Sequence, residues 1–269
     1  MTSAPRALQF LEASEARGLR GLIFDLDDTV LDHGSLSEAA YSSLFRLRES
    51  GLRLVACTGR PAGWAAVIAR QWPIDAAIAE NGAVAFLSTA GRVRIAFPED
   101  GRATAARRVE LEVLAKDFVK RFPSSALADD NAARMTDVTI DIGEHHVVHA
   151  DDVLAMAEAA ASRGVHTLVS SVHLHLSFEQ TDKAEGALRL LETAFLETKQ
   201  RALTGYAFVG DSGNDAAAFA AFLTTVGVAN VAAWLPRLPV PPRYVTKAAM
   251  GVGFSELAAH LAALRAYPG

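Results

Sequence analysis

Only one cysteine, Cys57, occurs in the 269 residues, so no internal disulfide can form. That suits a reducing compartment, and a cytoplasmic protein is expected. No run approaches the roughly 18 consecutive apolar residues that read as a membrane span. The opening stretch MTSAPRALQFLEASEARGLR is charged throughout and lacks the apolar core of a signal peptide. Basic residues are not in excess: 26 Lys and Arg stand against 31 Asp and Glu, for a formal net charge of −5. This argues against nucleic acid as a partner. An anionic small molecule stays open, because a bound cation can reverse the local field. No internal repeat or low-complexity linker interrupts the chain. What remains is globular, with 51% hydrophobic and 21% charged residues, enough for one large domain or two modest ones.

Hydrophobic patterning orders the chain. LRGLIF (19–24) reads as a buried strand. A helix follows with Tyr41, Leu44, Phe45 and Leu47 on one face, Ser37 as its N-cap and Gly51 as its stop. LRLVAC (52–57) is again a strand, Pro61 opens a second helix, and DAAIAENGAV is strand and turn. This β-α-β-α-β order implies a parallel sheet with crossover helices. Near residue 90 the pattern changes. RVRIAF, a helix over 102–121, MTDVTIDI, a helix over 151–163, VHTLVSS and HLHLSF read as an α+β unit with a one-sided sheet. After Gln180 the first style returns: a helix from Lys183, the strands YAFVGD and TTVGVA, and a closing amphipathic helix. The expected division is a discontinuous α/β domain, 1–90 and 181–269, with 91–180 inserted.

Ligands bind at the carboxyl ends of the strands in open parallel sheets. Here those ends carry Asp25, Asp27 and Thr29; then Thr58, Gly59 and Arg60; then Glu80, Asn81 and Gly82; then Gly210 through Asp215. Three carboxylates in four positions repel unless something offsets them. A hard cation such as Mg2+ would. A carboxylate can also act as a nucleophile, and a second one two residues on can pass a proton to a leaving oxygen. A hydroxyl and a lysine can hold phosphoryl oxygens. Together these are parts for phosphoryl transfer.

FDLDDTVLD, TGR, DKAEGAL and VGDSGNDAAAF, in that order, resemble the motifs of the haloacid dehalogenase superfamily of phosphohydrolases. The ENGA turn and VGVAN resemble its class IIB sugar-phosphate phosphatases. The resemblance implies a Rossmann-like core of parallel strands with an inserted C2-type α+β cap. The spacing agrees, since 33 residues separate Asp25 from Thr58 but 125 separate Thr58 from Lys183. The resemblance also implies roles. Asp25 would be nucleophile and Mg2+ ligand. Asp27 would be general acid/base and bind the metal through its carbonyl. Thr58 and Lys183 would hold the phosphoryl group with the backbone of Gly59. Asp211 would be a direct ligand, Asp215 would support the metal, and Asn214 would orient these groups or touch the phosphate. Arg60, Asn81 and His173 complete the candidate substrate contacts. The partner implied is a small phosphorylated metabolite, and the activity a phosphatase. The alternatives are a phosphomannomutase-like mutase, a receiver-like phospho-acceptor and a non-catalytic binding protein.

Several residues keep a second reading. Asp215 also suits a helix N-terminus. Arg60 contacts substrate or covers the helix that Pro61 begins. Asp28, where many relatives have glycine, points away from the metal and bonds locally. His145, His146 and His149 show no convergence into a zinc site. Asp130, Asn131 and Arg134 are cap contacts or loop residues, and Cys57 is a small core residue.

Overall fold

Short runs of small and branched apolar residues leave no face for water, so they become strands buried on both sides. The computed structural model describes residues 4–266 apart from 90, 99 and 171. A two-residue strand β1 (Arg6–Ala7) and a short helix α1 (Ala13–Gly18) come first. Then β2 (Gly21–Phe24), α2 (Glu38–Glu49), β3 (Arg53–Cys57), α3 (Ala62–Gln71) and β4 (Ala76–Ala79) follow in the expected alternation. The Ser37 hydroxyl caps α2 by accepting from Ala40 N at 3.2 Å. Beyond β4 come β5 (Val84–Thr89) and β6 (Arg92–Phe97).

The inserted unit contains α4 (Gly101–Arg121), β7 (Ala126–Leu127), β8 (Asp137–Asp141), α5 (Ala150–Ala161), β9 (His166–Val169) and β10 (His173–Ser177). The chain then returns through α6 (Lys183–Ala194), α7 (Lys199–Gly205), β11 (Tyr206–Gly210), α8 (Ala216–Ala221), β12 (Thr224–Gly227), β13 (Tyr244–Val245) and α9 (Met250–Ala266). No described helix is long and apolar enough to cross a membrane.

Among the described residues, nine strands form one sheet in the order β1-β13-β12-β11-β2-β3-β4-β5-β6. It is parallel through β4, and β5 and β6 add to it antiparallel. Alternation divides the core between its two faces: Leu22, Phe24, Leu54 and Ala56 on one, Ile23, Val55 and Cys57 on the other. The second sheet, β7-β8-β10-β9, is antiparallel. Val138, Ile140, Leu174 and Leu176 turn toward Leu114 and Phe118 of α4 and Met156 of α5. The same period of two puts Asp137, Thr139, His173 and His175 on its other face.

Two elements differ from expectation. RVRIAF, placed in the insertion, is β6 of the large sheet. Its position at the sheet edge explains the misreading: Arg92, Arg94 and Ile95 are exposed, as on a one-sided sheet, while Phe97 is buried. The single helix expected after Lys183 is two, α6 and α7, with Leu196 between them in a left-handed conformation (φ +55°).

Candidate active site

The strand order β11-β2-β3-β4 sets β2 between two neighbours that also end in chemistry. Asp25 therefore lies between the ends that carry Asp211 and Thr58, with Glu80 and Asn81 one strand further. The first turn of α6 brings Lys183 beneath them. That helix can approach because Gly186 faces Gly82 (φ +107°); a Cβ on Gly186 would lie 2.4 Å from Gly82 Cα.

Lys183 is fully buried, and its Nζ donates to Asp25 Oδ1 at 2.5 Å and to Asp215 Oδ1 at 2.8 Å. The second oxygen of Asp215 accepts from the backbone N–H groups of Asp211 and Ser212 at 2.8 and 3.1 Å. Gly210 makes room for it, since a Cβ there would sit 2.3 Å from Asp215 Oδ2. Asp211 Oδ2 accepts from Asn230 Nδ2 at 2.8 Å. The Thr29 hydroxyl lies 3.4 Å from both Asp25 Oδ2 and Asp211 Oδ1.

One ammonium thus faces three carboxylates. Burial raises the pKa of Asp25 well above the ordinary value, and the charges of Asp215, Asp211 and Asp27 add to this against the pull of Lys183. Asp211 is pushed up to about 7, chiefly by burial and then by Asp215. Burial works against the charge on Lys183, but Asp215 and Asp25 hold its pKa above the usual lysine range. Asp25, Asp211 and Asp215 each offer an oxygen within 4.8 Å of the others. An all-oxygen set with surplus negative charge fits a hard divalent cation such as Mg2+. Asp215 is wholly buried while Asp25 and Asp211 keep a small exposure, which places it behind them.

Asp27 leaves this cluster. Its carboxylate receives Arg60 Nε at 3.0 and 2.9 Å and Nη2 at 2.6 Å, while the Arg60 guanidinium stacks 4.2 Å over the Trp64 ring. Arg60 therefore follows neither sequence reading alone: it covers Trp64 of α3 and clamps Asp27. Thr58 is buried, and its hydroxyl accepts from Arg60 N at 3.1 Å. Asp28 has φ +54°, a left-handed conformation that favours glycine, and its carboxylate accepts from His33 N at 3.2 Å.

Above lies a cavity of about 840 Å3, whose floor includes Asp25, Asp27, Gly59, Asp211 and Asn214 and whose roof includes Arg134 and His173. Asn214 Oδ1 is buried without a hydrogen-bond partner. Asn81 packs against Gly59 and lines a smaller cavity of about 460 Å3 with Glu80, Asp137 and His175. His173 Nε2 lies 3.0 Å from Glu144 Oε2. His145 and His175 line the same larger cavity as His173, whereas His146 and His149 stand apart, beside Asp141 and Asp151.

Three residues mattered more than the sequence suggests. Asn230 ties Asp211 to the Asp28 carbonyl and to Met250 N. Arg134 is buried between Asp130 and Asp137 and donates to the Gly59 carbonyl at 3.3 Å. Glu80 joins the two sheets: it accepts from Ala62 N, Met135 N, Thr136 N, Asp137 N and the Thr136 hydroxyl. Only the final N of VGVAN signalled the first. The reach of Arg134 to Gly59 and the contacts of Glu80 with residues 135–137 depend on partners far along the chain. Glu80→Ala leaves these five buried donors without their acceptor, and a loss of about 2–4 kcal/mol is expected in urea unfolding. An unchanged midpoint would mean the donors find other partners.

The family model of haloacid dehalogenase-like hydrolases matches residues 22–95. No curated protein matches the chain. A solved protein from Thermoplasma acidophilum is 20% identical, covering 90% of this chain and 98% of its own, with a TM-score of 0.72. Sucrose-phosphatase from Synechocystis, in complex with sucrose and phosphate, is 17% identical over 91% and 98%, with a TM-score of 0.63. A sugar phosphatase of haloacid dehalogenase subclass IIB is 15% identical over 90% and 98%, with a TM-score of 0.62. The match to haloacid dehalogenase-like hydrolases thus covers the first α/β segment, and over nine-tenths of its length the chain shares the fold of these solved proteins.

Proposed function

We propose that this chain is a Mg2+-dependent phosphatase that hydrolyses a small phosphate monoester, a sugar phosphate, through an aspartyl-phosphate on Asp25. The carrying observation is the position of Asp25. Its Oδ1 is held by Lys183 while the residue lines the floor of a cavity that also reaches Asp27. The named activities of the sucrose-phosphatase and the subclass IIB sugar phosphatase support the same substrate class.

In this reading Asp25 Oδ2 attacks phosphorus as the ester P–O bond breaks. The departing alkoxide takes its proton from the Asp27 carboxyl. Asp27 then takes a proton from water as the water oxygen attacks phosphorus. The Asp25–phosphorus bond breaks and inorganic phosphate leaves. Lys183 holds Asp25 in place and offers protons to the phosphoryl oxygens, with the Thr58 hydroxyl and Gly59 N–H beside them. Arg60 must release Asp27 before Asp27 can carry a proton. A divalent cation held by Asp25, Asp211 and the Asp27 carbonyl, with Asp215 behind, would offset the charge of the phosphoryl group.

The test is inorganic phosphate release from a panel of phosphorylated sugars. Treatment with EDTA is expected to reduce release by about 100-fold or more, and added Mg2+ to restore it. Activity indifferent to chelation would overturn the metal assignment. Isomerised sugar phosphate in place of free phosphate would make the chain a mutase.

A further inference from the structure

We infer that the leaving-group end of the cavity selects phosphate esters whose alcohol portion carries no second negative charge, a neutral polyhydroxyl compound being the fitting class. This rests on the phosphatase reading and adds a charge rule to it.

The cavity has two unlike ends. At the floor, Lys183 and the cation-binding carboxylates are arranged for one phosphoryl group. At the roof, Asp129, Asp130 and Glu144 line the wall. Among the described residues, the arginines that line it are Arg60 and Arg134, and both are engaged. Arg60 is forked onto Asp27. Arg134, its side chain 2% exposed, lies between Asp130 at 2.7 Å and Asp137 at 3.0 Å. Arg134 cannot turn to a second anion without stranding the buried Asp137, a costly state. Arg60, once it releases the half-exposed Asp27, is the arginine of the described lining that can move.

The histidines do not fill the gap. His175 Nδ1 is held 2.9 Å from Asp137 Oδ2, and His145 stands 3.9 Å from Asp129 in the open. His173 is already engaged by Glu144 at 3.0 Å, and burial with the nearby His175 lowers its pKa. A carboxylate or second phosphate at this end would meet Asp129, Asp130 and Glu144, more acidic groups than the single movable guanidinium of Arg60 can offset. Hydroxyl groups would meet good acceptors: the exposed edges of Asp129 and Glu144. Trp64 and Trp234 line the same cavity and offer apolar ring surface to a sugar.

The experiment uses the full chain with Mg2+ and p-nitrophenyl phosphate as reporter ester. Matched pairs compete with it: glucose 6-phosphate against 6-phosphogluconate, and fructose 6-phosphate against fructose 1,6-bisphosphate. The neutral member of each pair is expected to inhibit about 100-fold more tightly at low salt, with the gap narrowing in 0.3 M NaCl. Glu144→Lys is expected to narrow it about tenfold, checked against an unchanged circular dichroism spectrum; Asp129→Lys is the second variant should the first misfold. Inhibition constants within twofold for both pairs would overturn the charge rule while reporter hydrolysis kept the phosphatase reading. So would a gap that neither charge reversal moves. No hydrolysis of the reporter or of any ester would overturn both.

Discussion

Asp25→Asn is expected to lower phosphate release by roughly 10^4-fold or more while the fold stays intact. The amide has nearly the same shape and cannot form the aspartyl-phosphate. It also removes one of three carboxylates that burial holds together. Stability without metal should therefore hold or rise, because a like charge has been removed from a buried cluster. Activity and stability move in opposite directions, which a misfolded variant could not imitate. Phosphate release from a good ester, beside urea unfolding in EDTA, reads both. A variant that keeps more than about 1% of wild-type turnover would remove Asp25 from the nucleophile's place.

Lys183→Met is expected to cost both activity and stability. The ammonium is the sole cation bonded to Asp25 and Asp215 among the described residues. Without it, two buried carboxylates lose their charge partner, at a cost of about 3–5 kcal/mol. Urea unfolding in EDTA measures this. The folded protein raises the Lys183 pKa above the ordinary 10.5, so the stabilisation is full below about pH 10. It fades only as pH climbs through the raised value. Adding Asp215→Asn to the variant should recover part of the loss, since one stranded charge goes with it. Turnover should fall about 10^2- to 10^3-fold for loss of a preorganised donor. Wild-type stability in Lys183→Met would show that water already screens the cluster.

The sequence was most legible where local pattern and chemistry coincide. Apolar runs that end in Asp25, Thr58 and Asp211 announced both the strands and the sheet edge where the candidate site gathers, and Ser37 announced the helix start. Sheet-edge features were harder. β1 has two residues, too few for any periodicity, and β6 shows water one side just as a separate antiparallel sheet would. The turn at Leu196 carries no glycine or proline to mark it. The site divides the same way. Asp25 and Lys183 could be paired from the motifs that contain them. The grip of Glu80 on residues 135–137 could not, because its partners are more than 50 residues away and are mostly backbone N–H groups. Backbone donors have no residue type, so no pattern of side chains reveals them.

The Arg60 clamp has a bearing on how rate and affinity divide between substrates. If Asp27 carries the proton as proposed, the guanidinium lying on it and on Trp64 keeps it out of service. A substrate has to move it, and only the portion beyond the phosphoryl group reaches the Trp64 wall. The work of arming the acid therefore falls to atoms that never react. Interactions made there appear in turnover rather than in binding. Inorganic phosphate and the smallest esters can occupy the floor and leave the clamp shut. On the proposed mechanism a full-length substrate would arm the enzyme as it docks, so the idle site would hold phosphate first and act as a catalyst only for the molecule that fills it.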